Sequence, residues 1–144
     1  MAVENKPRIT KLEVMYEKTT RDISIFVEPQ YLENHSIPDE GKFVWSYTII
    51  VRNSGVETVK LLTRHWIITD SKGRKQEVRG DGVVGEQPVL PPRSQFQYTS
   101  GCPLTTSSGV MEGSYGMINE KGERFDIAIP AFSLDSPHVK HSVN

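Results

Sequence analysis

The chain has 144 residues, 17 basic and 18 acidic side chains, a formal net charge of -1 and a single cysteine. That length suits one domain with a continuous core. The balanced charge shows no basic stripe of the kind nucleic-acid binders use, so no nucleic-acid partner is expected. One cysteine excludes an internal disulfide and a four-cysteine zinc site. The opening MAVENKPRITK has no basic segment followed by an apolar run, and the longest aliphatic cluster is only Ile49, Ile50 and Val51. No membrane association is therefore expected, and a cytoplasmic location is.

Residues 1–8 are polar and lack alternation, which predicts a flexible tail; the domain is expected over 9–134 and a second tail over 135–144. Within the domain the dominant signal has period two, which places alternate side chains of a strand on one face. In KLEVMYE the apolar set is Leu12, Val14 and Tyr16, and in DISIFVE it is Ile23, Ile25 and Val27. FVWSYTIIVRN is the clearest case, with Phe43, Trp45, Tyr47, Ile49 and Val51 on one side and Ser46, Thr48 and Arg52 on the other. After it comes TVKLLTRHWIITD, where alternation breaks down: Val59, Leu61 and Ile67 stand at odd positions, Leu62, Trp66 and Ile68 at even ones. Both faces are then apolar, although a sandwich strand has only one face on the core. The second face is expected to be covered by residues 83–90, by a second subunit in a homodimer, or by a partner protein. Arg64, His65 and Trp66 are the candidate interaction patch, with Trp66 expected at a partly exposed edge.

Alternation returns with Phe96 and Tyr98, with Met111, Tyr115 and Met117, and with Phe125, Ile127 and Ile129. Turn signals at Asn53, Asp70 and Asn119 separate these runs, and no window keeps a 3.6 period over three turns. Seven or more short strands without a helix predict an all-β fold, an antiparallel β-sandwich, with an up-and-down barrel as the alternative.

The stretch VRGDGVVGEQPVLPP contains GxGxxG at Gly80, Gly82 and Gly85. A dinucleotide fingerprint needs a helix to open at those glycines, and Pro88, Pro91 and Pro92 forbid one. No GK[ST] follows, so a P-loop is excluded too. What remains is a concave nest of backbone amides that could bind an anion, with Arg79, Gly80, Gly82, Gly85 and Glu86 as the candidate ligand loop, against a purely structural Gly-rich connection. The structural reading is preferred. The RGD formed by Arg79, Gly80 and Asp81 is read as coincidence.

Together, LLTRHWIITDSKGRKQEVRGDGVVGEQPVLPPRSQFQYTSGCPL and GVMEGSYGMINEKGERFDIAIPAFSL resemble the bacterial ApaG proteins over about residues 14–134. The resemblance rests on RHW, GxGVVGEQP, YxSG and the closing IPxF. It implies a fibronectin type III-like sandwich. It also implies a family named for a gene beside a diadenosine tetraphosphate hydrolase and linked to cobalt and magnesium tolerance, with related domains in F-box and polymerase-associated proteins that look like interaction modules. Arg93 departs from the pattern, since a glycine is more usual after the second proline.

Candidate chemistry is thin. Cys102 and His65 form the one nucleophile and base pair worth naming, and a buried inert cysteine is the preferred reading. His138 and His141 share a spacing suited to metal only in a helix, which Pro137 argues against. Asp81 and Glu86 are an incomplete oxygen site. No catalytic residue, metal or cofactor is assigned. The expected function is a non-enzymatic binding module for a protein partner. The alternative is a small-molecule binder or hydrolase acting on a nucleotide polyphosphate through Arg79 and the three glycines.

Overall fold

The alternating runs form nine strands in a computed structural model that describes residues 15–138. They are β1 (Tyr16–Thr20), β2 (Ile23–Tyr31), β3 (Phe43–Asn53), β4 (Val59–Asp70), β5 (Lys75–Asp81), β6 (Val89–Leu90), β7 (Gln95–Leu104), β8 (Gly109–Asn119) and β9 (Arg124–Leu134). Two 3-10 turns, Glu33–His35 and Pro38–Glu40, lie between β2 and β3. No helix among the described residues is long and apolar enough to cross a membrane. All strand pairs are antiparallel, in two sheets ordered β1-β2-β3-β7 and β5-β4-β8-β9, with β6 beside β4. This is the fibronectin type III-like sandwich rather than a barrel. Leu12 and Val14 lie outside the described residues.

The core lies between the sheets and is built from the predicted faces. Ile23, Ile25, Val27, Trp45, Tyr47, Ile49, Tyr115, Ile127 and Ile129 are buried, and Phe96 packs half-buried against them. Trp45 donates its indole N–H to the Asp135 carbonyl at 2.7 Å. Just beyond, the His138 ring sits against Tyr31 and Phe43. The packed chain therefore continues past β9 as far as His138.

One side of the sandwich is closed and the other open. β1 and β2 pack across onto β9, and the bidentate pair of Arg21 with Glu123, both contacts at 3.1 Å, ties the β1–β2 turn to the β8–β9 turn. On the opposite side the edge strands β7 and β5 face each other without closing.

The broken alternation of β4 has a local cause. Leu61 pairs with Met117 and Thr63 with Gly116, so Leu62 is an extra residue against β8. Such a bulge shifts the phase of the strand by one. Val59 and Leu61 face the core before it, and Trp66 and Ile68 face the core after it. The two apolar faces read from the sequence are largely one face. Trp66 is accordingly 3% exposed, in edge contacts with Tyr47, Tyr115 and Phe132. The expectation that Trp66 borders an exposed patch is corrected: it is core. A second bulge in β9, where Gly113 pairs with Ile129 but Met111 with Phe132, moves the inward set from Ile127 and Ile129 to Phe132 and Leu134.

Candidate functional site

The glycine loop is built around the β4 bulge. The Leu62 carbonyl, displaced from the ladder, accepts from Gly82 N–H at 2.7 Å and from the Gln87 side-chain amide at 2.9 Å. Leu61 N–H donates to the Pro88 carbonyl at 3.0 Å. Val83 and Glu86 exchange both backbone hydrogen bonds around Val84 (φ 41°) and Gly85 (φ 82°), a two-residue turn with both central residues in the left-handed region. Gly82 has φ 65°, and a Cβ there would run into the Glu86 carbonyl. Val83 and Leu90 insert into the core. The amides of Gly82, Val83 and Glu86 are thus spent within the chain, whereas an anion nest needs them free. Arg79 is not aimed at the loop either; its Nη2 donates to Glu77 at 3.0 Å.

Gly80 has a different role. An added Cβ would sit 2.7 to 2.8 Å from the Arg64 guanidinium, which lies flat over β5 at this point. Arg64 Nη1 donates to the Asp81 carbonyl at 2.9 Å and the Gly82 carbonyl at 3.0 Å. The guanidinium is therefore fixed at the mouth of the loop.

Arg64, His65 and Trp66 do not form one patch, because alternation sends Trp66 inward and His65 outward. His65 Nε2 meets the Glu77 carboxylate, which also receives Arg79. The hydrogen bond from His65, then the charge of Arg79, holds the Glu77 carboxyl below its usual range.

Between the open edges lies a cleft of about 400 Å³. Tyr47, Trp66, Ile68, Tyr98, Cys102 and Met111 form its floor, Val78 and Val84 stand on the loop side, and Ser100, Gly101 and Pro103 on the β7 side. Arg64 is the one charged residue in this lining. Three of the four motifs that carried the sequence resemblance meet here: Arg64 and Trp66 of RHW, Val83 to Gly85 of the loop, and Tyr98, Ser100 and Gly101 of YxSG. Phe132 of the fourth supports Trp66 from below. Sequence reasoning found these residues but missed the cleft, because the bulge that turns Arg64 inward hides in an apolar run. It also missed Tyr47, Tyr98 and Ser100 as site residues, reading the two tyrosines as core alternation and Ser100 only as part of the YxSG motif.

The cleft is poor in reactive groups. Burial pushes the Cys102 thiol up to about 11, and Cys102 and His65 do not meet, since His65 faces away from the cleft. Tyr98 and Tyr115 share a buried hydroxyl contact, and burial raises both, with the Arg64 charge acting in the other direction. Burial also raises Tyr47. The tyrosines therefore stay neutral near pH 7 and supply polar contacts, not a base.

The β7 edge completes the site. Asn53 N–H donates to the Ser94 carbonyl at 2.9 Å while Arg93 N–H donates to the Asn53 carbonyl at 2.8 Å, a bulge with Arg93 in the left-handed conformation (φ 66°). From this pair onward the even residues of β7 bond to β3, and the odd ones point their backbone groups out. Among the described residues the N–H groups of Gln95, Gln97, Thr99 and Gly101 thus have no ladder partner, and Pro103, which has no N–H, falls in the same outward phase. No residue of QFQYTSGCPL is charged, whereas β5, KQEVRGD, carries four charges in seven residues.

These features define a fibronectin type III-like sandwich with a cleft between the edges of β5 and β7. The chain belongs to the ApaG domain family, whose model matches residues 33–119. It is similar to the Protein ApaG of Bradyrhizobium sp. (strain ORS 278), 58% identical over 90% of this chain and 100% of that one. It is likewise 58% identical to the Protein ApaG of Rhodospirillum centenum, with the same coverage. A crystal structure of an ApaA protein from Bordetella pertussis matches with a TM-score of 0.79 and 44% identity, over 82% of this chain and 96% of that one.

Proposed function

We propose that this ApaG domain is a non-enzymatic binding module that takes an extended segment of a partner protein as an added strand along the free edge of β7. The observation that carries this reading is the uncharged outward ladder of β7. Exposed edges are normally blunted by charge, by proline or by cover, because they template pairing. β5 is blunted by charge; β7 has proline only at its far end, leaving Gln95 to Gly101 open. Strand addition draws affinity from main-chain hydrogen bonds and specificity from pockets beside the edge, and the cleft lies at that place.

Val84 supports the same reading. It is 55% exposed and holds a β-branched side chain at positive φ, a strained combination. No packing need explains it, and its side chain stands on the cleft rim as an apolar contact for a partner. The nucleotide alternative has less support, since the amides of Gly82, Val83 and Glu86 are already bonded within the chain.

The test is selection of random linear peptides displayed against the immobilised protein, repeated with Thr99→Pro, which deletes one outward N–H in the phase where Pro103 already stands. Enrichment on the wild type that disappears with the folded variant is expected. Failure to enrich, or enrichment unaffected by Thr99→Pro, would refute the proposal.

A further inference from the structure

Resting on the strand-addition reading, we infer that the segment taken by β7 presents an acidic side chain to the cleft, where Arg64 receives its carboxylate. Arg64 is partly buried and has no carboxylate within 4.0 Å among the described residues, unlike Arg21, Arg74 and Arg79, each of which is paired. Two of its donors are used on the Asp81 and Gly82 carbonyls through Nη1, and no acceptor among the described residues takes Nη2 or Nε. An arginine with donors to spare in a partly apolar cleft favours a carboxylate, which guanidinium can bind in two-pronged fashion.

The cation is also held ready. The missing Cβ of Gly80 opens the space the guanidinium lies in, and the two carbonyls fix its plane. Little side-chain freedom is left to lose when an anion arrives, which favours affinity. Facing sheets lie about 10 Å apart, a gap that an arginine from one side and a glutamate from the other can close. Alternate residues of an added strand face the same way, so the positions two before and two after the acid would meet the apolar rim formed by Val78 and Val84. The recognised pattern is therefore apolar, any, acidic, any, apolar, in extended form.

The peptides enriched on the wild-type protein supply the probe. Alignment should reveal an Asp or Glu at one fixed position with apolar residues two to either side. In calorimetric titration, replacing that acid by its amide should weaken binding by about tenfold or more. Arg64→Met should cause a similar loss with the acidic peptide and little further loss with the amide peptide, the signature of a direct pair. The peptide-side change needs no altered protein and decides the matter even if Arg64→Met folds poorly. Enriched peptides without a fixed acid, or an amide peptide that binds equally well, would overturn the pairing with Arg64 while leaving strand addition intact. Insensitivity to Thr99→Pro, or no enrichment at all, would instead remove strand addition and this inference with it.

Discussion

Arg93 occupies a backbone conformation that favours glycine, and the departure noticed in the sequence has this physical meaning. In a bulge of this geometry the first residue is left-handed, and a side chain there costs about 1 to 2 kcal/mol. Arg93→Gly is expected to raise stability by about 1 kcal/mol in urea unfolding; an unchanged or lower midpoint would show that the side chain contributes something the φ value does not reveal. Gly82→Ala should act in the opposite sense, losing more than about 1 kcal/mol, because it combines positive φ with a collision against the Glu86 carbonyl. Val84→Asn separates folding from binding: the left-handed turn position suits Asn better than Val, so thermal stability should rise while affinity for enriched peptides falls. A variant that gained stability and kept full affinity would dismiss Val84 as a contact.

At the scale of elements, period two was enough to read β2, β3, β7 and β8, since each keeps one phase throughout. β4 was legible as a strand but not in its orientation. A bulge adds one residue, exchanges the faces, and leaves an apolar pattern that also fits a strand buried on both sides. The available signal was the order of the apolar positions: odd first, at Val59 and Leu61, then even, at Trp66 and Ile68. β9 repeats the switch around Pro130, a residue that the interior of a ladder excludes. The expected exposure of Trp66 failed for this reason, while the absence of a helix after the glycines was legible, because prolines rule one out whatever the tertiary context. Trp66→Ala is therefore expected to cost about 3 to 5 kcal/mol as a core truncation. Intact stability in chemical denaturation would return Trp66 to the surface.

The whole molecule is asymmetric, clamped at β1 and β9 and open at β5 and β7. The clamp has a pH signature. The hydrogen bond from Arg21, then that from Asn119, holds the Glu123 carboxyl below its usual range. A carboxyl depressed in the folded state contributes stability above its unfolded pKa and loses it as pH falls through the folded value. The stability difference between wild type and Glu123→Gln should accordingly be present at neutral pH and vanish below the ordinary carboxylate range. A difference independent of pH would remove the ion pair from the account.

The open side rests on the alternation of bonded and free amides along β7, a property composed across both sheets that no single stretch of sequence displays. Amide hydrogen exchange along β7, measured by NMR in the free protein and with an enriched peptide bound, tests it most directly. In the free protein Phe96, Tyr98, Ser100 and Cys102 should be protected while Gln95, Gln97, Thr99 and Gly101 exchange quickly, and the second set should become protected on binding. Free-state protection of that second set, or no change when peptide saturates the protein, would contradict the claim that β7 is the open edge on which a partner strand is laid.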